Sequence, residues 1–159
     1  MTDARSRALA ACLETALSFG TLNVGLREYE RQTDVSARML VHYFRDKDGL
    51  KAALLEEIEA RLRSEIEGAL QDGRQSLSDV ATAFSRPDRA SLRCLLRVAL
   101  HDALGGDNAT SRVLLEERRR WRQMLNKIVP KEEVEKTLFC LVGAAVDALL
   151  SDPIGDFTN

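Results

Sequence analysis

Little in this sequence is aromatic. Phe, Trp and Tyr together make up 5% of it, with a single tryptophan, and a β-sandwich would need more β-branched and aromatic residues than are present. No segment alternates with the period of two that marks a strand, and no internal repeat is found. The apolar runs fall short of a membrane span. Cys12, Cys94 and Cys140 lie far apart among apolar residues, with no CxxC or Cys/His spacing to suggest zinc. They read as buried free thiols of a reducing compartment. Met1 to Arg7 lack the long apolar stretch of a secretory leader, so a cytoplasmic chain is expected. There are two histidines, no Gly-rich phosphate loop and no nucleophile elbow, so catalytic residues, a cofactor and a metal site are not expected. His101 and Asp102 are neighbours in sequence, and neighbours on a helix project about a hundred degrees apart, which offers no ready dyad.

Charge is abundant, at 30% of residues, but of neither sign in excess: the formal net charge is −2. Acids and bases also balance over residues 1–50. The chain is therefore not a polycation that coats nucleic acid, and any DNA-binding surface must come from local placement of its bases.

What is present is helical periodicity. Leu9, Cys12, Leu13, Ala16 and Leu17 mark an amphipathic helix from about Thr2 to Phe19, ended by Gly20. From Gly25 to Lys47 two short helices are predicted, joined by Thr33-Asp34-Val35-Ser36, with Ser36 as the N-cap of the second. Leu26, Tyr29, Val35, Leu40 and Phe44 can close a small core, which leaves Ala37, Arg38, Val41 and His42 facing outward. That pattern is a helix-turn-helix. Asp46 can cap a long helix from Lys47 past Leu70, whose apolar residues Leu50, Leu54, Ile58, Leu62, Ile66 and Leu70 drift around its axis. Glu57–Arg61 and Glu59–Arg63 are i,i+4 pairs of favourable polarity on it. Gln71-Asp72-Gly73 breaks this helix, and a short one is predicted over Ser78–Phe84. Ser85-Arg86-Pro87-Asp88 opens another, running to Leu104 before Gly105-Gly106. Thr110 or Ser111 is expected to cap a helix reaching Val129, and the last helix runs from Pro130 to Leu150. The fold class is all-α, with about eight helices.

At this point the chain resembles the TetR family of transcriptional repressors. The resemblance rests on Phe19-Gly20, Leu26-Arg27-Glu28-Tyr29-Glu30, Asp34-Val35-Ser36, Val41-His42-Tyr43-Phe44 and Lys47-Asp48-Gly49-Leu50, at the family's spacing without a gap. It covers the first third of the chain by motif and the rest by helix count and order. Several positions depart from the family pattern: Gly25 stands where Ser or Thr is usual, Glu30 for Ala, Asp34 for Gly, Val41 for Tyr and Tyr43 for His. These departures change backbone-phosphate contacts rather than the frame. The resemblance implies a helix-turn-helix DNA-binding head over residues 1–46 and an effector-binding, dimerising helical body over 47–159. It implies a ligand-responsive repressor whose partners are a near-palindromic DNA operator, a small-molecule effector and a second copy of the chain, with no membrane. The alternative is a helical dimer that senses a small molecule or binds a protein partner without sequence-specific DNA binding.

Arg38 either forks onto a guanine or faces a phosphate, and His42, one turn on, either reaches DNA or is merely exposed. Ser36, Ala37 and Val41 complete this surface. Tyr43, Lys47 and Arg27 are placed for phosphates, Lys47 at a helix N-terminus. In the body, Arg93, Arg97 and His101 form a stripe that reads as a cationic ligand wall or as the solvent edge of the helix. Phe84, Trp121 and Phe139 line a pocket or fill core. The run Glu116 to Arg122 reads as a solvated face or a dimer rim. Leu138, Leu141, Val142, Ala145 and Leu149, with Leu114, Trp121, Leu125 and Ile128, form an apolar surface broad enough for a two-fold four-helix interface. Burial within one subunit is the other account of it.

Overall fold

The computed structural model of the protein describes residues 3–72, 90–127 and 129–151. Among the described residues it is all-α, with no strand. The helices are α1 (Ala4–Phe19), α2 (Leu26–Gln32), α3 (Ala37–Phe44), α4 (Lys47–Asp72), α5 (Ala90–Leu104), α6 (Asn108–Leu125) and α7 (Val134–Ser151). A single 3-10 turn, Lys131–Glu133, precedes α7. The expected Ser78–Phe84 helix and the start signal at Ser85 to Asp88 lie outside the described residues.

Local chemistry explains most of the boundaries. Gly20 adopts φ +70° after α1; its N–H returns to the Leu17 carbonyl at 3.3 Å, and that of Thr21 to Ala16 at 3.2 Å. This left-handed cap turns the chain sharply into the next loop. Thr33 closes α2 by donating its hydroxyl to the Tyr29 carbonyl at 2.7 Å, and the same oxygen accepts from the Val35 N–H at 3.2 Å. Ser36 caps α3 by accepting the Met39 N–H at 3.2 Å. Asp46 caps α4, its Oδ1 accepting the Gly49 N–H at 2.7 Å.

Three predicted boundaries in the second half move. The cap of α6 is Asp107, not Thr110 or Ser111: Thr110 gives both its N–H (2.8 Å) and its hydroxyl (2.9 Å) to Asp107 Oδ1. Asp107 stands one residue before the helix, where its carboxylate meets the free N–H of Thr110, while Thr110 and Ser111 already lie within the first turns. The same helix ends at Leu125 rather than Val129, and α7 begins at Val134 rather than Pro130.

One apolar core runs from α1 to α7. It includes Cys12, Leu13 and Ala16 of α1, Tyr29, Leu40, Phe44, the α4 row Leu50, Leu54, Ile58 and Leu62, then Leu95, Leu96, Trp121, Leu125, Val134 and Leu138. Helix α4 packs on α1, α3, α5 and α6. Its surface pairs form as expected, with Glu57–Arg61 and Glu59–Arg63 each at 2.8 Å.

Gly49 sits where no side chain fits. A Cβ there would lie 2.0 Å from the Phe44 carbonyl oxygen, because the end of α3 and the start of α4 touch through their backbones. Helix propensity alone makes Gly49→Ala worth about 1 kcal/mol of added stability. We expect the opposite sign, a loss of about 1–3 kcal/mol from overpacking, measured by urea unfolding.

Asp107 also makes an ion pair with Lys51, and with the Thr110 N–H this holds its carboxyl down, to about 2 from an ordinary 3.8. A carboxyl depressed in the folded state contributes stability above its unfolded pKa and loses it as pH falls through the folded value. Asp107→Asn keeps the cap and removes the pair, so it should lower stability at neutral pH by roughly 1–2 kcal/mol. The gap between variant and parent in melts run over a pH series should close between pH 3.8 and about 2.

Candidate functional site

The outward face of α3 is the first candidate. Leu40 and Phe44 point inward and are buried, while Arg38, Val41 and His42 on the opposite side are exposed. Ala37 is half-buried at the helix start beside the capping Ser36. Tyr43 is half-buried, its ring edge-on to Phe44 with centroids 6.2 Å apart and tilted against His42 at 5.5 Å. Arg27 is exposed on α2. Lys47 is exposed at the start of α4 and donates to the Asn23 carbonyl at 3.3 Å. Among the acids nearby, Glu28 is taken up by Arg31 and Gln32, while Glu30 and Asp34 are exposed.

The sequence offered no signal for two further groups here. Arg5 of α1 lies over the Phe44 ring, 5.0 Å from its centroid, a cation–π contact that brings a base to the end of α3. Arg45, just after α3, holds φ +76° and ψ −50°, a strained γ-turn conformation for a non-glycine residue.

The second candidate is a polar junction between the α1–α2 loop and the α5–α6 turn. Asp102, buried at the end of α5, accepts from the Thr21 hydroxyl at 2.7 Å and the Leu22 N–H at 2.8 Å. Lys51 of α4 donates to the Asn23 side chain at 3.2 Å and pairs with Asp107. A polar cleft of about 420 Å³ opens here, lined by Thr21, Asn23, His101, Asp102, Gly105, Gly106 and Asp107. His101 and Asp102 do meet, contrary to the argument from helical projection: His101 Nδ1 lies 3.1 Å from Asp102 Oδ1. The two side chains diverge at their Cβ atoms, but the imidazole curls back from its exposed position. The Thr21 hydroxyl donates to the carboxylate rather than to the imidazole, a geometry that clamps a loop instead of activating a nucleophile. Close by, burial pushes the Cys12 thiol up to about 11. Burial, with Cys12 and Asp102 adding to it, also raises the Tyr29 phenol.

The third candidate is an apolar pocket of about 200 Å³ between α4, α5, α6 and α7, with Trp121 in its wall. The expected ligand-binding residues therefore do not form one site. Trp121 lines this pocket, His101 lines the polar cleft, Arg97 lines neither, and Phe84 lies outside the described residues. A stripe at i, i+4 and i+8 drifts around the helix, which separates Arg97 and His101 from the tryptophan. Glu117 was missed. It belongs to a charged run that reads as solvated, yet it is buried on the face that carries Leu114 and Trp121. The i, i+3 and i+7 spacing of those three was the available clue.

The last two helices divide the expected dimer surface. Leu125 and Leu138 are each 1% exposed and Trp121 7%, so the subunit's own core has consumed them, which corrects their assignment to an open face. Val142 is exposed and Leu114 half-buried; the exposed apolar side chains also include Leu115, Phe139 and Val146. Ile128, and the side chains of Leu141, Ala145 and Leu149, lie outside the described residues. No three His, Cys, Asp or Glu side chains among the described residues come together as metal ligands. Likewise, no helix among them is long and apolar enough to cross a membrane.

Comparison with protein-family models, curated proteins and solved structures finds no match to this chain.

The junction makes a direct prediction. Asp102→Ala leaves the buried Leu22 N–H and the Thr21 hydroxyl without their acceptor, which should lower stability by about 2–3 kcal/mol. Hydrogen exchange at Leu22 should accelerate in step with this loss, while amides in the middle of α6 follow only the global change.

Proposed function

We propose that this chain is a dimeric DNA-binding regulator resembling the TetR family, a repressor that sets α3 into a major groove of its operator. The observation that carries this reading is the division of α3: Leu40 and Phe44 anchor one side, and Arg38, Val41 and His42 stand exposed on the other. A short, capped helix braced on a core, with a base and an imidazole outward, suits direct readout. Arg27, Tyr43 and Lys47 then take phosphates, and Ser36 and Ala37 approach the backbone at the helix start.

The second copy docks through α6 and α7, where Leu115, Phe139, Val142 and Val146 are exposed. A two-fold pair of this kind presents two α3 helices to successive major grooves. An effector bound in the body releases the DNA by preferring the arrangement of α4 that does not fit the operator; its differential affinity sets the limit of the effect. Helix α4 is the mechanical link, because it packs on α3 as well as on α5 and α6.

Selection of bound sequences from random duplex DNA, followed by affinity against salt, tests this. Arg38→Ala should weaken the selected site by about 1–3 kcal/mol and relax one base position. Lys47→Ala should weaken all sequences alike and reduce the salt slope by about one. The balance of acids and bases over residues 1–50, with Glu30 and Asp34 exposed, favours a second reading. In that reading the protein is a helical dimer that senses a small molecule or binds a protein without reading DNA. A flat salt response and no enriched motif would select it.

A further inference from the structure

We propose that the pocket between α4, α5, α6 and α7 binds a compact apolar molecule carrying one hydrogen-bond donor, with Glu117 as the acceptor. Its walls are Leu62, Leu96, Leu100, Leu114, Trp121 and Val142, and its volume is about 200 Å³. An apolar cavity of about 150 Å³ already accepts benzene, so a monosubstituted ring fits.

Glu117 supplies the specificity. Its side chain is 3% exposed, and it lines the pocket together with those apolar groups. Oε1 is held by Arg120, and an Arg63 guanidinium nitrogen lies 3.9 Å from it. Oε2 is buried and has no hydrogen-bond partner. A buried carboxylate oxygen left without a donor is unfavourable; Oε2 lies behind the pocket wall, and a turn of the Glu117 carboxyl that presents it to a ligand N–H or O–H relieves it. Arg120 also bonds to Glu59, which pairs with Arg63, so two carboxylates and two guanidiniums close a formally neutral group. Nothing in that group calls for a second full charge; Arg118, the other ionic group of the lining, lies 3.9 Å from Glu135, and an anionic ligand would set its own charge against the buried Glu117. The matching class is a small, uncharged aromatic amine, phenol or alicyclic alcohol. An apolar side chain from a second copy would fill the space and leave Oε2 unpaired.

Calling this molecule the effector rests on the regulator reading above; its binding does not, and the test contains no DNA. The full chain is titrated with aniline (a donor), anisole (an acceptor only), toluene (neither) and benzoate (an anion). Binding is followed by calorimetry and by the fluorescence of Trp121, the only tryptophan. Aniline should bind saturably, about tenfold tighter than toluene or anisole, and benzoate should not bind. In Glu117→Gln the amide oxygen stays on Arg120 and the amide N–H₂ takes the place of Oε2. Aniline then loses its advantage and anisole gains. Leu100→Phe, which fills the pocket, should abolish binding of all four.

Equal binding of aniline and toluene to the parent chain would overturn the proposal without reference to any variant. So would unimpaired binding in Leu100→Phe, or affinity that vanishes as protein concentration rises: Leu115, Val142 and Val146, through which the second copy is proposed to dock, also line this pocket, and a copy seated in it would leave no room for a ligand.

Discussion

Leu50, Leu54, Ile58 and Leu62 form a buried row along α4, and α1, α3, α5 and α6 all pack on this helix. A step of four residues overshoots one turn by about 40°, so the row rotates slowly around the helix. Helix α4 meets α1, α3, α5 and α6, with Lys51 near its start reaching Asp107 and Arg61 further along reaching Glu14 of α1. One helix thereby joins the N-terminal helices to the rest through side chains in van der Waals contact, which are stiff at native packing density. The Gly49–Phe44 approach tightens this joint. With backbone against backbone, any rotation of α4 is felt by α3 without slack.

Two carboxylates hold the opposite edge of the same joint. Asp102 takes the Thr21 hydroxyl and the Leu22 N–H, and Asp107 caps α6 while pairing with Lys51. They sit at the two ends of one short turn, so the α5–α6 connection grips both the α1–α2 loop and α4. In the proposed regulator this geometry defines how a ligand reaches the DNA-facing helix. The apolar pocket shares Leu62 with α4 and Leu96 and Leu100 with α5, and α5 ends in the Asp102 clamp. Coupling along such a route requires an element with two arrangements whose balance both sites bias.

Periodicity and punctuation made much of this legible in advance. The α1 stop at Gly20, the Ser36 and Asp46 caps and the long α4 follow from contacts within one or two turns, where spacing along the chain sets spacing in the structure. The inward and outward faces of α3 follow for the same reason. Asp107 was passed over as a cap because hydroxyl residues stood close behind it, and the preference between them depends on which side chain reaches the free N–H groups.

The sequence by itself determined an all-α chain and the division of α3 into a buried and an exposed side, since both depend on the 3.6-residue repeat. Only the tertiary structure decided the rest. It buried Glu117 out of a run of charges, curled His101 onto Asp102 and withdrew Leu125 and Leu138 into the subunit core. It also made Gly49 indispensable. Each of these depends on a group far away in the chain: Glu59 and Arg63 for Glu117, Thr21 and Leu22 for Asp102. Gly49 is the near exception, five residues from Phe44, where the angle between two helices rather than their separation in sequence brings the backbones together. Local rules carry no information about such distances, because they are set when the helices pack.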